Sequence, residues 1–275
     1  MRTRIRKAQR LVIKVGSTLV TNNGAGLDHA ALDEWARQIA ALRKGGREIV
    51  LVSSGAIAAG RETLGLTCRP DDMATLQAAA SIGQVSLIET YSSEFGRCRC
   101  SIGQVLLTRA DTENLTSYGH ACNTFERLLE LGSIPIVNEN DTVAIDEICF
   151  GDNDTLASLV ALMIEADMVV ILTDVKGLYD ADPAKNADAR VVSYLTEIDD
   201  DLLASTAPAA IDGQSLGSGG MRSKLEAARA LLDADIITVL SNGREANVVI
   251  DAVCGKPHGT VICSQEQMKQ FEVLT

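Results

Sequence analysis

The chain has 275 residues, 46% of them apolar and only 3% aromatic, with a formal charge of −12 at neutral pH. That length supports one large α/β domain or two small ones, with a core built mainly from Leu, Ile, Val and Ala. The acidic balance excludes nonspecific binding to nucleic acid or to anionic membrane surfaces, since both need a basic face, so a phosphorylated ligand requires positive charge set locally into the protein.

The N-terminal MRTRIRKAQR is basic, but the apolar run behind it is only LVI before Lys14 interrupts. It reads as neither a signal peptide nor a membrane span, and no later stretch is long enough to cross a bilayer. Short apolar runs bounded by turn residues then alternate with longer helical patterns, the signature of βαβ architecture. Strands are predicted at 11–15, 48–52, 101–107, 134–137, 168–172 and 236–240, and helices at 28–44, 72–95, 116–131, 153–165, 221–233 and 244–253. In the first helix Leu32, Trp35, Ile39 and Leu42 share one side, away from Asp33, Glu34, Arg37 and Arg43, which places Trp35 in the core. No repeat, low-complexity segment or proline-rich linker divides the chain. The expectation is a single domain over 1–275, a three-layer αβα sandwich around an open, mostly parallel sheet.

Glycine and polar clusters recur where strands end: KVGST at 14–18, SSGA at 53–56, NENDTVA at 138–144, GDND at 151–154, TDVKGLYDADP at 173–183 and LGSGGMRSK at 216–224. Open α/β sheets gather ligands at the carboxyl ends of their strands, so these clusters converge on one candidate edge. For SSGA, a turn with a helix cap explains Ser53, Ser54 and Gly55 without a ligand; a small anion meeting N–H groups at a helix N-terminus is the functional alternative. Lys14, between Ile13 and Val15, must face solvent or have an anionic partner, because burying an unpaired ammonium is very costly. Gly16-Ser17-Thr18 behind it would let backbone N–H groups approach phosphate oxygens. GSGGMRSK is a second candidate anion site, with Gly219 and Gly220 before a helix and Lys224 one turn in, against the alternative of a flexible loop with a cap. It does not have Walker A spacing, and no G-x-G-x-x-G is present.

NEND and GDND each offer Asp and Asn where a loop meets a structured element, and neither fits a calcium loop. An Asp between two lysines would hold both ammonium groups, and Asn and Asp near an apolar pocket suit the charged ends of an amino acid. Asp152 or Asp154 capping the following helix is the structural alternative. His29, His120 and His258 lie outside the glycine clusters. Cys68, Cys98, Cys100, Cys122, Cys149, Cys254 and Cys263 form an odd set without C-x-x-C spacing, which reads as reduced cytosolic thiols and no metal site. Two lysines, glycine-rich turns and one organising aspartate suit phosphoryl transfer, which needs positioning and charge neutralisation more than a strong base.

Taken in order, VIKVGSTLV, IVLVSSGAIAAG, GQVLLTRAD, IPIVNENDTVA, GDNDTLAS, ILTDVKGLYDADP and GSGGMRSK resemble the amino acid kinase family, and within it the glutamate 5-kinase branch, through nearly the whole chain. The resemblance implies the amino acid kinase fold and ATP-dependent phosphorylation of the γ-carboxylate of L-glutamate to L-glutamyl 5-phosphate, the first step of proline biosynthesis, in the cytoplasm. Mg2+ would be carried mainly by the nucleotide. Lys14 and Lys224 would neutralise the transferring phosphoryl group, with Asp154 orienting them. Ser54, Asp141 and Asn153 would bind glutamate, and Gly55 and Ala56 would give backbone contacts. The nucleotide positions would be Lys14, Gly16, Thr173, Asp174, Ser218, Gly219, Gly220, Met221, Arg222, Ser223 and Lys224. Glutamate would be held mainly within 10–165 and nucleotide within 166–265.

The implied partners are L-proline as feedback inhibitor, further copies of the chain in a dimer or tetramer, and glutamate-5-semialdehyde dehydrogenase. Many bacterial members continue into a C-terminal PUA domain; the expectation for a chain ending at Thr275 is that it has none. Ser218, Arg222 and Ser223 stand where threonine, a small residue and threonine are expected, and 207–216 looks differently arranged from its counterparts. The alternatives are a kinase of the same fold acting on aspartate, acetylglutamate or carbamate, and an amino-acid- or nucleotide-binding regulator without turnover. Joint retention of Lys14, Asp154 and Lys224 speaks against the regulator.

Overall fold

The computed structural model describes residues 2–24, 26–144, 153–206, 220–256 and 258–272. Strands β1 (Arg10–Val15), β2 (Glu48–Val52), β3 (Ile102–Leu107), β4 (Ile134–Glu139), β5 (Met168–Thr173), β6 (Tyr194–Leu195), β7 (Ile237–Asn242) and β8 (Gly259–Ile262) form one sheet in the order β3-β4-β2-β1-β5-β7-β8-β6. Every neighbouring pair is parallel except β7–β8. Parallel strands covered on both faces carry apolar residues at every position, which is why the inner ones read as unbroken aliphatic runs.

The helices are α1 (Arg2–Lys7), α2 (Ser17–Val20), α3 (His29–Lys44), α4 (Ala56–Thr63), α5 (Met73–Arg97), α6 (Arg109–Glu113), α7 (Leu115–Glu130), α8 (Asn153–Met163), α9 (Asp200–Ser205), α10 (Met221–Asp233), α11 (Val248–Val253) and α12 (Gln265–Glu272). Two cores result. Leu11, Ile13 and Val15 pack with α3, α5 and α11 through residues such as Trp35, Tyr91 and Val249. Val12 lies on the opposite face with Phe125, Leu156, Val160 and Leu225 from α7, α8 and α10. Side chains alternate along a strand, so Lys14 shares the Val12 face.

The six predicted strands are all present, and β4 runs two residues further than expected, through Asn138 and Glu139. Trp35 is buried and its indole N–H donates to the Gly243 carbonyl at 3.0 Å. The helix expected over 244–253 is shorter: Asn247, at φ 57°, is the N-cap of α11, so helical backbone starts only at Val248. The helix expected over 153–165 ends at Met163, and Glu165 has φ 49°, a left-handed backbone that no α-helix continues through. Strands β6 and β8 and the helices α1, α2, α4, α6, α9 and α12 lie outside the predicted elements. Most are at most two turns long and too short to show a period.

Candidate active site

β1 is the strand at which the chain changes direction across the sheet, with β2 on one side and β5 on the other. In open α/β sheets a crevice opens at the carboxyl ends of such strands. Lys14 is the penultimate residue of β1 and is only 4% exposed. Its ammonium lies 2.5 Å from Oδ1 of Asp154, in the first turn of α8. Lys224, in the first turn of α10 and 6% exposed, places its ammonium 3.0 Å from Oδ2 of the same carboxylate. Asp154 has no solvent exposure. Burial alone would push its carboxyl pKa up; the Lys14 and Lys224 ammoniums overcome that and hold it below the ordinary carboxylate value. Asp154 is therefore the shared counter-ion of two lysines rather than a helix cap. The three side chains carry a formal net charge of +1, which suits an anion at their open side.

The residue before Asp154 serves a different neighbour. Successive helical residues point about 100° apart, so Asn153 turns toward the exits of β2 and β4 while Asp154 faces β1 and α10. The Asn153 amide nitrogen lies 2.5 Å from the Ser53 carbonyl oxygen, 2.8 Å from Asn138 Oδ1 and 3.0 Å from Ser54 Oγ, so its two protons are shared among three acceptors. Asn138 Oδ1 also accepts the Glu139 N–H at 2.9 Å, while its Nδ2 is buried without a partner among the described residues. Gly55 follows at φ 95° as the N-cap of α4. A Cβ there would lie 2.9 Å from Thr21 Cγ2 and 3.0 Å from Val20 Cγ1, so both the left-handed backbone and the close approach require glycine. Ala56 is buried at the start of α4, whose first amides have no intrahelical acceptor. Asp141 lies in the turn after β4; burial, with Glu139 adding to it and Arg69 opposing, pushes its carboxyl up to about 7.

On the β5 side, Thr173 is buried and its hydroxyl bonds to Asp174 Oδ1 at 3.1 Å, while Asp174 itself is exposed. The Gly243 N–H donates to the Thr173 carbonyl at 2.8 Å, tying the ends of β5 and β7 together. The Gly16 N–H is 3.3 Å from the Leu172 carbonyl, continuing the β1–β5 ladder. The amides of Ser17 and Thr18 behind it, which open α2, have no intrahelical acceptor. Gly220 is the N-cap of α10, followed by Met221, Arg222 and Ser223. Ser223 Oγ lies 3.4 Å from Asp154 Oδ2, whereas Arg222 turns outward to pair with Glu226 at 2.9 Å. Ser218, Gly219, Asp152, Cys149 and the 207–216 segment lie outside the described residues.

Lys14, Asp154 and Lys224 thus come together, as do Ser54 and Asn153. Ser53 and Asn138, absent from the expected site, belong to the second group. Asn138 stands at the head of NENDTVA, and extending β4 by two residues would have placed it at the sheet edge. His258 pairs with Asp251 at 3.4 Å, and the six described cysteines form no disulfide among the described residues.

A mostly parallel sheet with a buried Lys–Asp–Lys group at its central crevice, faced by the N-terminal turns of α8 and α10, defines an α/β kinase. A family model described as the amino acid kinase family matches residues 9–240, and the chain belongs to that family. It is 50% identical over 262 residues to a protein named glutamate 5-kinase from Azoarcus sp. (strain BH72), covering 95% of this chain and 70% of that one. It is also 50% identical over 266 residues to a glutamate 5-kinase from Thioalkalivibrio sulfidiphilus (strain HL-EbGR7), covering 97% and 70%. The crystal structure of UMP kinase from Ureaplasma parvum superposes with a TM-score of 0.62 over 94% of this chain and 99% of that one; at 16% identity it shares the fold alone.

Proposed function

We propose that this chain transfers the γ-phosphoryl group of ATP to the γ-carboxylate of L-glutamate, giving L-glutamyl 5-phosphate, the first step of proline biosynthesis. The observation that carries the reading is the buried Lys14–Asp154–Lys224 group joined through Asn153 to the Ser54 side of the crevice. An oxygen of the substrate carboxylate attacks the γ-phosphorus, and the bond to the β,γ-bridging oxygen breaks with its electron pair passing to ADP. The attacking carboxylate is already ionised at neutral pH, so no general base is needed. Lys14 and Lys224 neutralise charge on the equatorial oxygens in the transition state, where preorganised cations in a dry site act most strongly. Asp154 keeps both ammoniums in place.

Ser54, Gly55 and Ala56 hold the reacting carboxylate, and Asp141 takes the substrate ammonium. Asn138 Nδ2, a buried donor still free to bond, suits a substrate carboxylate oxygen. Thr173, Asp174 and the start of α10 face the nucleotide. Mg2+ is carried by the ATP phosphates and offsets their charge; a protein contribution of +1 fits a nucleotide that brings its own cation. L-Proline as a competing end product, self-association into a dimer or tetramer, a cytoplasmic setting and transfer of the water-labile acyl phosphate to glutamate-5-semialdehyde dehydrogenase complete the proposal. Among the described residues no helix is long and apolar enough to cross a membrane.

The test is trapping of the acyl phosphate with hydroxylamine in the presence of Mg2+ and ATP. Hydroxamate should form from L-glutamate and far less from L-aspartate or N-acetyl-L-glutamate. A preference for either competitor would overturn the substrate assignment.

A further inference from the structure

Helix α5 is 25 residues long and touches two of the segments assigned to the acceptor, the 53–56 turn with the start of α4 and the 140–144 turn, although it contributes nothing to the triad. At one end, the Gln77 amide donates to the Ala144 carbonyl at 2.9 Å, closing the 140–144 turn that carries Asp141; the Ala144 N–H returns to the Asn140 carbonyl at 3.1 Å. In the middle, a Cβ on Gly83 would lie 1.8 Å from the Ala56 carbonyl oxygen, and one on Gly60 would lie 1.7 Å from the Ala79 carbonyl oxygen. The backbones of α4 and α5 are therefore in direct contact at the start of α4.

Further along, Tyr91 is 1% exposed and its hydroxyl is 2.9 Å from Ser53 Oγ. Ser53 has one hydroxyl proton and donates it to the Ser54 carbonyl at 3.2 Å, so Tyr91 is the donor to Ser53. Burial raises the phenol's pKa, and Ser53 only partly offsets this, so the donor proton is retained.

We infer that α5 is the element that positions the acceptor pocket, with Tyr91 and Gln77 as positioning residues acting through Ser53 and the Ala144 carbonyl. That these segments hold the acceptor, and that the acceptor is L-glutamate, rests on the function proposed above; the contacts of α5 with them do not. Neither side chain is required to touch the substrate; each fixes a loop that does.

The test uses Tyr91→Phe, Gln77→Met and the double variant of the whole chain. Each single change removes one hydrogen bond holding one wall, and should raise KM for L-glutamate about three- to tenfold. kcat and KM for ATP should stay within about twofold of wild type. The two residues are about 21 Å apart along the helix, so the KM effects should multiply in the double variant. Amide hydrogen exchange on the ligand-free protein supplies a readout independent of substrate. Tyr91→Phe should speed exchange at Ala59, whose N–H closes the first turn of α4 on the Gly55 carbonyl, and Gln77→Met should do so at Ala144. Amides 157–163 of α8 should be unchanged. Joint loss of kcat, both KM values and melting temperature, or an unchanged KM for glutamate, would overturn the inference. If the wild type makes no hydroxamate from L-glutamate, the proposed function falls. Exchange alone then decides here: faster exchange at those two amides upholds the positioning role and unchanged exchange overturns it.

Discussion

Replacing Asp154 with Asn tests the triad through an asymmetry in its charges. Two ammoniums flank one carboxylate, all three nearly inaccessible to water. Asp154→Asn leaves two buried positive charges with no counter-ion, whereas Lys14→Met leaves a neutral Lys224–Asp154 pair. Removing one partner of a buried ion pair costs about 3–5 kcal/mol, which for a chain of this size is on the order of 10 °C in melting temperature. Lys14→Met should cost about 1 kcal/mol, comparable to one ordinary hydrogen bond.

Thermal and urea unfolding at neutral pH, with and without Mg·ATP, separates the cases. Nucleotide should stabilise Asp154→Asn by more than it stabilises wild type, because the phosphates supply the missing negative charge. The acid limb follows from the same geometry. The Asp154 pKa is lowered in the folded state, so its contribution is complete above about pH 4 and is lost as pH falls through the depressed value; Asp154→Asn lacks that loss. An Asp154→Asn protein as stable as wild type, beside a severely destabilised Lys14→Met, would refute the charge reasoning.

Lys14→Met and Lys224→Met should each lower kcat by on the order of 10²–10³-fold, the effect of losing one preorganised transition-state stabiliser, as measured at saturating ATP and glutamate. The Asp141 carboxyl, raised to about 7, is ionised only above that pH. If it binds the substrate ammonium, KM for glutamate should fall as pH rises from 6 to 8, by about tenfold in all, and Asp141→Asn should flatten the profile. Gly55→Ala puts a side chain on a left-handed backbone against Thr21 and Val20. It should cost about 1–3 kcal/mol in urea unfolding and raise KM for glutamate more than KM for ATP.

The sheet was legible because its inner strands are buried on both faces and form runs no helix period explains. Strands β6 and β8 were not, being two and four residues long at the far edge. At the site, the cost of burying Lys14 required an acidic partner, but local sequence could not choose among Asp141, Asp152 and Asp154. The choice depends on how α8 lies against β1, a contact across 140 residues of chain. Tyr91 was invisible for the opposite reason. With Leu87 and Phe95 it forms an i, i+4, i+8 stripe that reads as core, and its ring does pack there, 6.2 Å from that of Phe95. Periodicity reports where a ring is buried and carries no information on what its hydroxyl meets.

The adjacency of Asn153 and Asp154 links the two halves of the site mechanically. One residue anchors the β2 and β4 exits, the other the lysines of β1 and α10, and both ride on the first turn of one rigid helix. Under the proposed function, a shift of that turn would therefore move acceptor and phosphoryl contacts together. In-line transfer needs the attacking oxygen and the γ-phosphorus held at near-contact distance, and small displacements are expensive in rate. Placing both anchors on consecutive residues removes the hinge that would otherwise let the two pockets drift apart. In the proposed reaction the N-terminal turn of α8 would set the distance between the reacting groups, and α5, by the inference above, the shape of the acceptor pocket.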